Sequence, residues 1–192
     1  MSKTKPYDLL KYIKSLSSFE ETVSLSYQAI AEKTVDSTAK SHLLKISQDS
    51  IEHSKLLKGF LNWIIIPEQS FKPSQRKMAE AMNEITKLNE KTQAIKRING
   101  FEFSNMFEKL LSLETFLSVE YQNLTQRNFS HTLEKLFLGM SSDEENHQTL
   151  LVTVNFVLCQ NKAERTDNPP MVKYQNPAKW NRSIPSWTYN QS

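Results

Sequence analysis

Two residues in one helical turn, Glu144 and His147, pair a carboxylate with an imidazole three positions apart, so both project from one helix face. Glu20, His53 and Glu114 stand in similar company, each interrupting an otherwise apolar periodic run. Burying ionisable groups in such runs costs on the order of several kcal/mol per charge unless each is compensated. Lysine or arginine could compensate them, but the periodic positions contain neither. A metal ion is the remaining partner for carboxylates and neutral imidazoles meeting at one level. Oxygen and imidazole donors suit iron and manganese, and zinc would also bind.

Helices must carry these groups. Helix formers dominate, and only Gly59, Gly100 and Gly139 supply glycine, too little punctuation for an all-β fold. The spacing predicts a first core helix over about Tyr7–Lys33 and a second over Ser37–Ile65. A crossover helix over about Ser74–Ile98 should stop at Asn99-Gly100. A third core helix should run from near Ser104 to Arg127, and a fourth from after Asn128–Ser130 to about Gln160. Steps of three and four pick out one buried seam on each core helix. The seams are Leu9, Ile13, Leu16, Glu20, Val23, Tyr27, Ile30; Leu43, Ile46, Ser50, His53, Leu57, Phe60; Phe107, Leu110, Glu114, Leu117, Tyr121, Leu124; and Leu133, Phe137, Met140, Glu144, His147, Leu151, Val154, Leu158. Each is apolar except near its middle.

A shift of 94 residues lays the first two core helices on the last two without a gap, matching Glu20 with Glu114, Tyr27 with Tyr121, Asp49 with Asp143 and His53 with His147. Twelve of forty positions from Ser18 to Leu57 are identical, against roughly two or three expected from ordinary composition. The chain reads as a duplicated helical hairpin. For both halves to bring their ligands to one height, the second and third core helices must run parallel. A crossover helix of about 25 residues spans roughly 37 Å, enough for that return.

This constellation resembles the ferritin-like di-iron and di-manganese carboxylate proteins, which include bacterioferritin and rubrerythrin. They take a Glu from each of two helices and Glu-x-x-His from each of the other two. The resemblance covers about residues 7–160. It implies an all-α, ferritin-like four-helix bundle over 1–160, made of two duplicated antiparallel helix pairs joined by a helical crossover at about 74–98. It further implies two iron or manganese ions held by Glu20, His53, Glu114, Glu144 and His147. Tyr27 and Tyr121 match tyrosines that hydrogen-bond liganding carboxylates, with ordinary core aromatics as the plainer reading. Asp49 and Asp143 match carboxylates that hold a ligand histidine's second nitrogen, with a solvated helix face as the plainer reading.

The departure is Ser50, where the pattern asks for glutamate. Glu52 is two residues on, about 200° around the helix, and should point away. Two divalent ions bring four positive charges, whereas Glu20, Glu114 and Glu144 bring three negative ones. Either a hydroxide or oxide bridge supplies the difference, or one metal position is weak or empty.

The formal charge of +3 is modest and mixed through the sequence, which argues against a nucleic-acid partner. The apolar stretch Leu61–Ile66 is far too short to span a bilayer, so no membrane is expected. A lone cysteine, Cys159, excludes an intrachain disulfide or Cys-x-x-Cys knuckle, and its apolar neighbours suggest a buried thiol. Without a secretory signal, the expectation is a soluble cytoplasmic protein. Glu21, Glu52, Glu120 and Glu145 read as solvated, and His42 and His131 as surface residues. Trp63 with Ile64–Ile66 reads as a cap on the bundle. Residues 161–192, with Pro169-Pro170, Pro177, Pro185 and interleaved Tyr174, Trp180, Trp187 and Tyr189, read as an irregular tail. The weak stripe Met78, Met82, Ile85, Leu88, Ile95 needs packing or an oligomer contact, and a homo-oligomer is expected.

Three functions remain open from sequence: a dinuclear oxidoreductase acting on dioxygen or peroxide, a metal-binding or iron-handling protein without turnover, and a structural bundle with a decayed site. The first lacks the four cysteines of a rubredoxin domain, so a separate electron donor would serve it.

Overall fold

The computed structural model describes residues 7–61, 75–127 and 129–163, and within them the chain is all-helical. The order is α1 (Tyr7–Lys33), α2 (Ser37–Leu61), α3 (Gln75–Ala94), α4 (Gly100–Thr125) and α5 (His131–Ala163). The expected continuation of the second core helix over 62–65, the cap formed by Trp63 with Ile64–Ile66, the Ser74 start of the crossover and the tail beyond Ala163 lie outside the described residues.

The starts of α2 and α4 are fixed by side-chain caps. Asp36 Oδ1 accepts from the Ala39 amide at 2.8 Å, satisfying an amide that the first turn of α2 would leave orphaned. Asn99 does the same for α4, accepting from Phe101 and Glu102 while the Glu102 carboxylate accepts from the Asn99 amide. This corrects the reading of Asn99-Gly100 as the stop of the crossover helix. That helix ends at Ala94, and Lys33 Nζ donates to the Thr92 and Ile95 carbonyls at its end, at 2.6 and 2.7 Å. Helix α4 therefore begins four residues earlier than the spacing predicted. Gly100 is required there, because a Cβ would stand 2.5 Å from the Leu158 carbonyl oxygen.

Helices α1 and α2 pack as one hairpin and α4 and α5 as another, with α2 against α5 and α3 laid over α1 and α4. Their directions follow from paired contacts. Tyr27 meets Glu114 and Tyr121 meets Glu20, so α1 and α4 are antiparallel. Because α1 and α2 are antiparallel neighbours, α2 and α4 run the same way, as two halves of matched height demand.

The seams form the core. Nearly all the seam residues are buried, Phe60 and Leu133 only partly, and each fully buried Leu, Ile or Phe contributes about 1.5–3 kcal/mol. Packing buries the α3 stripe at Met78, Ile85 and Leu88. No helix among the described residues is long and apolar enough to cross a membrane.

Candidate metal centre

Helices α1 and α4 face each other across an unusual spacing. Among the described residues no Cα of one lies within 8 Å of a Cα of the other. Long side chains fill the gap instead. Phe19 meets Phe116 edge to face, with ring centroids 5.6 Å apart. Tyr27 donates to Glu114 Oε1 at 2.5 Å, and Tyr121 donates to Glu20 Oε1. Glutamates and tyrosines have the reach to meet here without drawing the helices together.

The five residues singled out by the seams converge in this gap. Glu20, His53 and Glu144 form one group and Glu114, Glu144 and His147 another, with one ligand atom from each member lying within 4.8 Å of the others. Either group could hold a metal ion, and Glu144 belongs to both. His53 Nδ1 is 3.3 Å from Glu20 Oε1 and 2.9 Å from Glu144 Oε1. His147 Nδ1 is 3.0 Å from Glu114 Oε2 and 3.1 Å from Glu144 Oε2. All five side chains are buried.

The other face of each imidazole is tied across the hairpins. His53 Nε2 lies 3.2 Å from Asp143 Oδ2 of α5, and His147 Nε2 lies 3.1 Å from Asp49 Oδ2 of α2. An aspartate accepting from Nε2–H leaves the Nδ1 lone pair facing the carboxylates, the tautomer a cation requires. Lys45 also pairs with Asp49. Burial works against ionising Asp49, but Lys45 and His147 overcome it and hold the carboxyl below its usual range.

Without a cation the cluster balances its charge with protons. Burial would lower both histidines, yet the carboxylates outweigh it: Glu144 and Glu20 raise His53 to about 10, and Glu114 and Glu144 raise His147 to about 11. Burial raises Glu144 to about 8, helped by Glu20 and Glu114. For Glu114 burial is overcome by His147, with help from Tyr27, and the carboxyl is lowered. Burial and the adjoining carboxylates push the Tyr27 and Tyr121 phenols well up, so both remain donors.

Three buried oxygens in this region have no hydrogen-bond partner: Glu20 Oε2, Glu144 Oε1 and Ser50 Oγ. The short His53–Glu144 approach lacks hydrogen-bond geometry. Orphaned buried oxygens are costly, by about 1–3 kcal/mol each and more for charged groups. Two of them are carboxylate oxygens in the groups able to bind a cation, so the donor set fits one.

Residues 94 apart make equivalent contacts well beyond the five. Ser24 and Ser47 hydroxyls lie 3.1 Å apart, as do those of Ser118 and Ser141. Sequence reasoning passed over these four serines, although both pairs were among the repeated identities. It also misplaced Glu120. This carboxylate is buried and accepts from Tyr12, which reaches across the gap from α1. Cys159 was misread in the opposite sense: it is exposed, with Ser104 Oγ 3.4 Å from its sulfur. Glu52, Glu145 and His131 are exposed, whereas Glu21 and His42 are part-buried.

Comparison with protein-family models, with curated proteins and with solved structures finds no match to this chain.

Proposed function

We propose that this chain is a ferritin-like dinuclear-metal oxidoreductase, with two iron or manganese ions between Glu20, His53, Glu114, Glu144 and His147, acting on dioxygen or peroxide. The observation that carries the reading is the sharing of Glu144 by two buried groups, each with its histidine held by an aspartate of the other hairpin. In this reading Glu20, His53 and Glu144 hold one ion, and Glu114, His147 and Glu144 the other. The ions supply redox chemistry toward oxygen species that carboxylates and imidazoles lack.

The protein's own groups prepare the site. Asp143 and Asp49 orient the imidazoles, while Tyr121 and Tyr27 restrain Glu20 and Glu114. Phe19, Leu117 and Phe137 add buried apolar mass to the surrounding core and help exclude water. The twelve identities and the matched contacts support duplication of one helical hairpin as the origin of the bundle. The sequence holds one cysteine and not the four of a rubredoxin domain, so electrons would come from a separate donor. A second reading, metal binding without turnover, draws on the depth of the cluster, where neither histidine side chain exceeds 4% exposure and the three glutamates are at 0%.

The test is expression with iron or manganese supplied, followed by metal quantification and by peroxide and dioxygen consumption with an added reductant. About two ions per chain with turnover are expected. Metal without turnover selects the second reading, and no retained metal overturns both.

A further inference from the structure

We infer that Ser50 anchors a small, singly charged oxygen-donor anion that stands in for the carboxylate missing from the α2 half of the site. The inference rests on the two-ion reading above and adds the ligand class and the residue that selects it.

Ser50 is fully buried, and its hydroxyl oxygen has no hydrogen-bond partner. It precedes His53 by three residues, so both share one face of α2. The 94-residue offset makes it the counterpart of Glu144, which completes both metal-competent groups. A glutamate reaches farther than a serine by two carbons and carries a charge. The α2 half is therefore short of one carboxylate in both volume and charge.

The charge count sets the class of occupant. Two divalent ions against Glu20, Glu114 and Glu144 leave one positive charge, which one monoanion cancels. Burial limits its size, and a hydroxyl is a hydrogen-bond donor suited to an anionic oxygen. Formate meets these requirements, as does hydroperoxide, the form in which peroxide would bind a cation. Benzoate carries the same carboxylate but is too bulky to fit where a carboxymethyl group would.

The experiment uses the full chain loaded with cobalt(II), whose visible absorption reports its ligands, titrated with formate and separately with benzoate. Wild type should show a saturable change with formate and none with benzoate. Ser50→Ala should retain both ions while binding formate about tenfold or more weakly, the loss of one charge-assisted hydrogen bond. Ser50→Glu should retain both ions and no longer respond, because its own carboxylate fills the position. Circular dichroism establishes that each variant is folded; if Ser50→Glu is not, the alanine arm decides. Formate binding in Ser50→Ala within about twofold of wild type overturns the inference alone. Loss of cobalt from Ser50→Ala also overturns it, by making Ser50 a metal ligand. An equal response to benzoate shows a surface carboxylate effect and overturns it too. Failure of wild type to bind cobalt overturns the two-ion reading and this inference together.

Discussion

The α1–α2 and α4–α5 hairpins build the same half-site from different charge. Each places a glutamate and a histidine 33 residues apart, a tyrosine aimed at the other hairpin's glutamate, an aspartate aimed at the other hairpin's histidine, and a linked serine pair. Of the many positions where they part, three change the polar groups of the gap. Where α5 has Glu144, α2 has Ser50; where α4 has Glu120, α1 has Ser26; and where α1 has Tyr12, α4 has Met106. The shared positions hold helices and rings in place, while the unshared ones set the electrostatics. Repetition of the frame thus leaves room for the two halves to differ in chemistry.

The sharpest break in the symmetry is Glu144, whose removal should empty both halves. Glu144→Ala should retain no metal after dialysis, by mass-spectrometric metal analysis. Glu20→Ala should instead lose the His53 side and keep roughly one ion. Similar losses in the two variants would show that the groups do not share Glu144 as described.

Proton release probes both halves together. At pH 7 the metal-free site holds a proton on His53, on His147 and largely on Glu144, given values of about 10, 11 and 8, so full loading should displace about three protons. The overall constant for loading both ions should rise with pH by up to about three orders of magnitude per unit below pH 8, and by about two between pH 8 and 10. Calorimetry in buffers of different ionisation enthalpy counts the protons. The sign for stability follows from the same values. Both histidines are raised from 6.5, so their contribution is complete below that pH and lost as pH climbs through 10 and 11. Glu144 is raised from 4.5, so its contribution is complete below 4.5 and lost through 8. Glu114, being lowered, acts in the opposite sense but only in acid. The metal-free protein should therefore melt at lower temperature as pH rises from about 7 to 10, and the gap to the metal-loaded form should widen.

The aspartates give a graded comparison. The Asp49 side chain is 15% exposed and that of Asp143 is 51% exposed, so water can replace Asp143 more readily. Asp49→Asn should weaken metal binding toward the upper end of about 10–100-fold, and Asp143→Asn toward the lower end. Equal losses would mean that exposure does not govern the orienting role.

The smallest effect concerns a pair that only one half possesses. Tyr12→Phe leaves buried Glu120 without that donor and should lower stability by about 1–3 kcal/mol, measured by denaturant unfolding. Met106→Leu, at the equivalent position, should cost less than about 1.5 kcal/mol.

Much of this was legible because long helices repeat their pattern many times. The four seams and the five residues that interrupt them were readable from steps of three and four, and the structure buries all five. What escaped depended on the spacing between helices. Glu120 neighbours the seam residue Tyr121 and reads as solvated until Tyr12 spans the α1–α4 gap. Cys159 reads as buried beside Leu158, yet lies on the open side of α5. Asn99-Gly100 serves equally as a stop or a start in sequence, and Glu102, three residues after Asn99, was the unused sign of a capping box.

The crosswise histidine–aspartate ties also imply an order of assembly. Contacts within each hairpin, such as Glu20–His53 and Glu114–His147, close over 33 residues. Those between hairpins close over 87 to 108, from Tyr27–Glu114 to Tyr12–Glu120. The entropy of loop closure grows with length, and helical hairpins are fast local structures. Each hairpin should form early with its glutamate and histidine still open to water, and the aspartate ties should close only on docking. Ties that close after the folding barrier would slow unfolding while leaving the folding rate nearly unchanged, and Asp49→Asn should then speed unfolding more than it slows folding. The centre is thus completed last and guards the docked state kinetically.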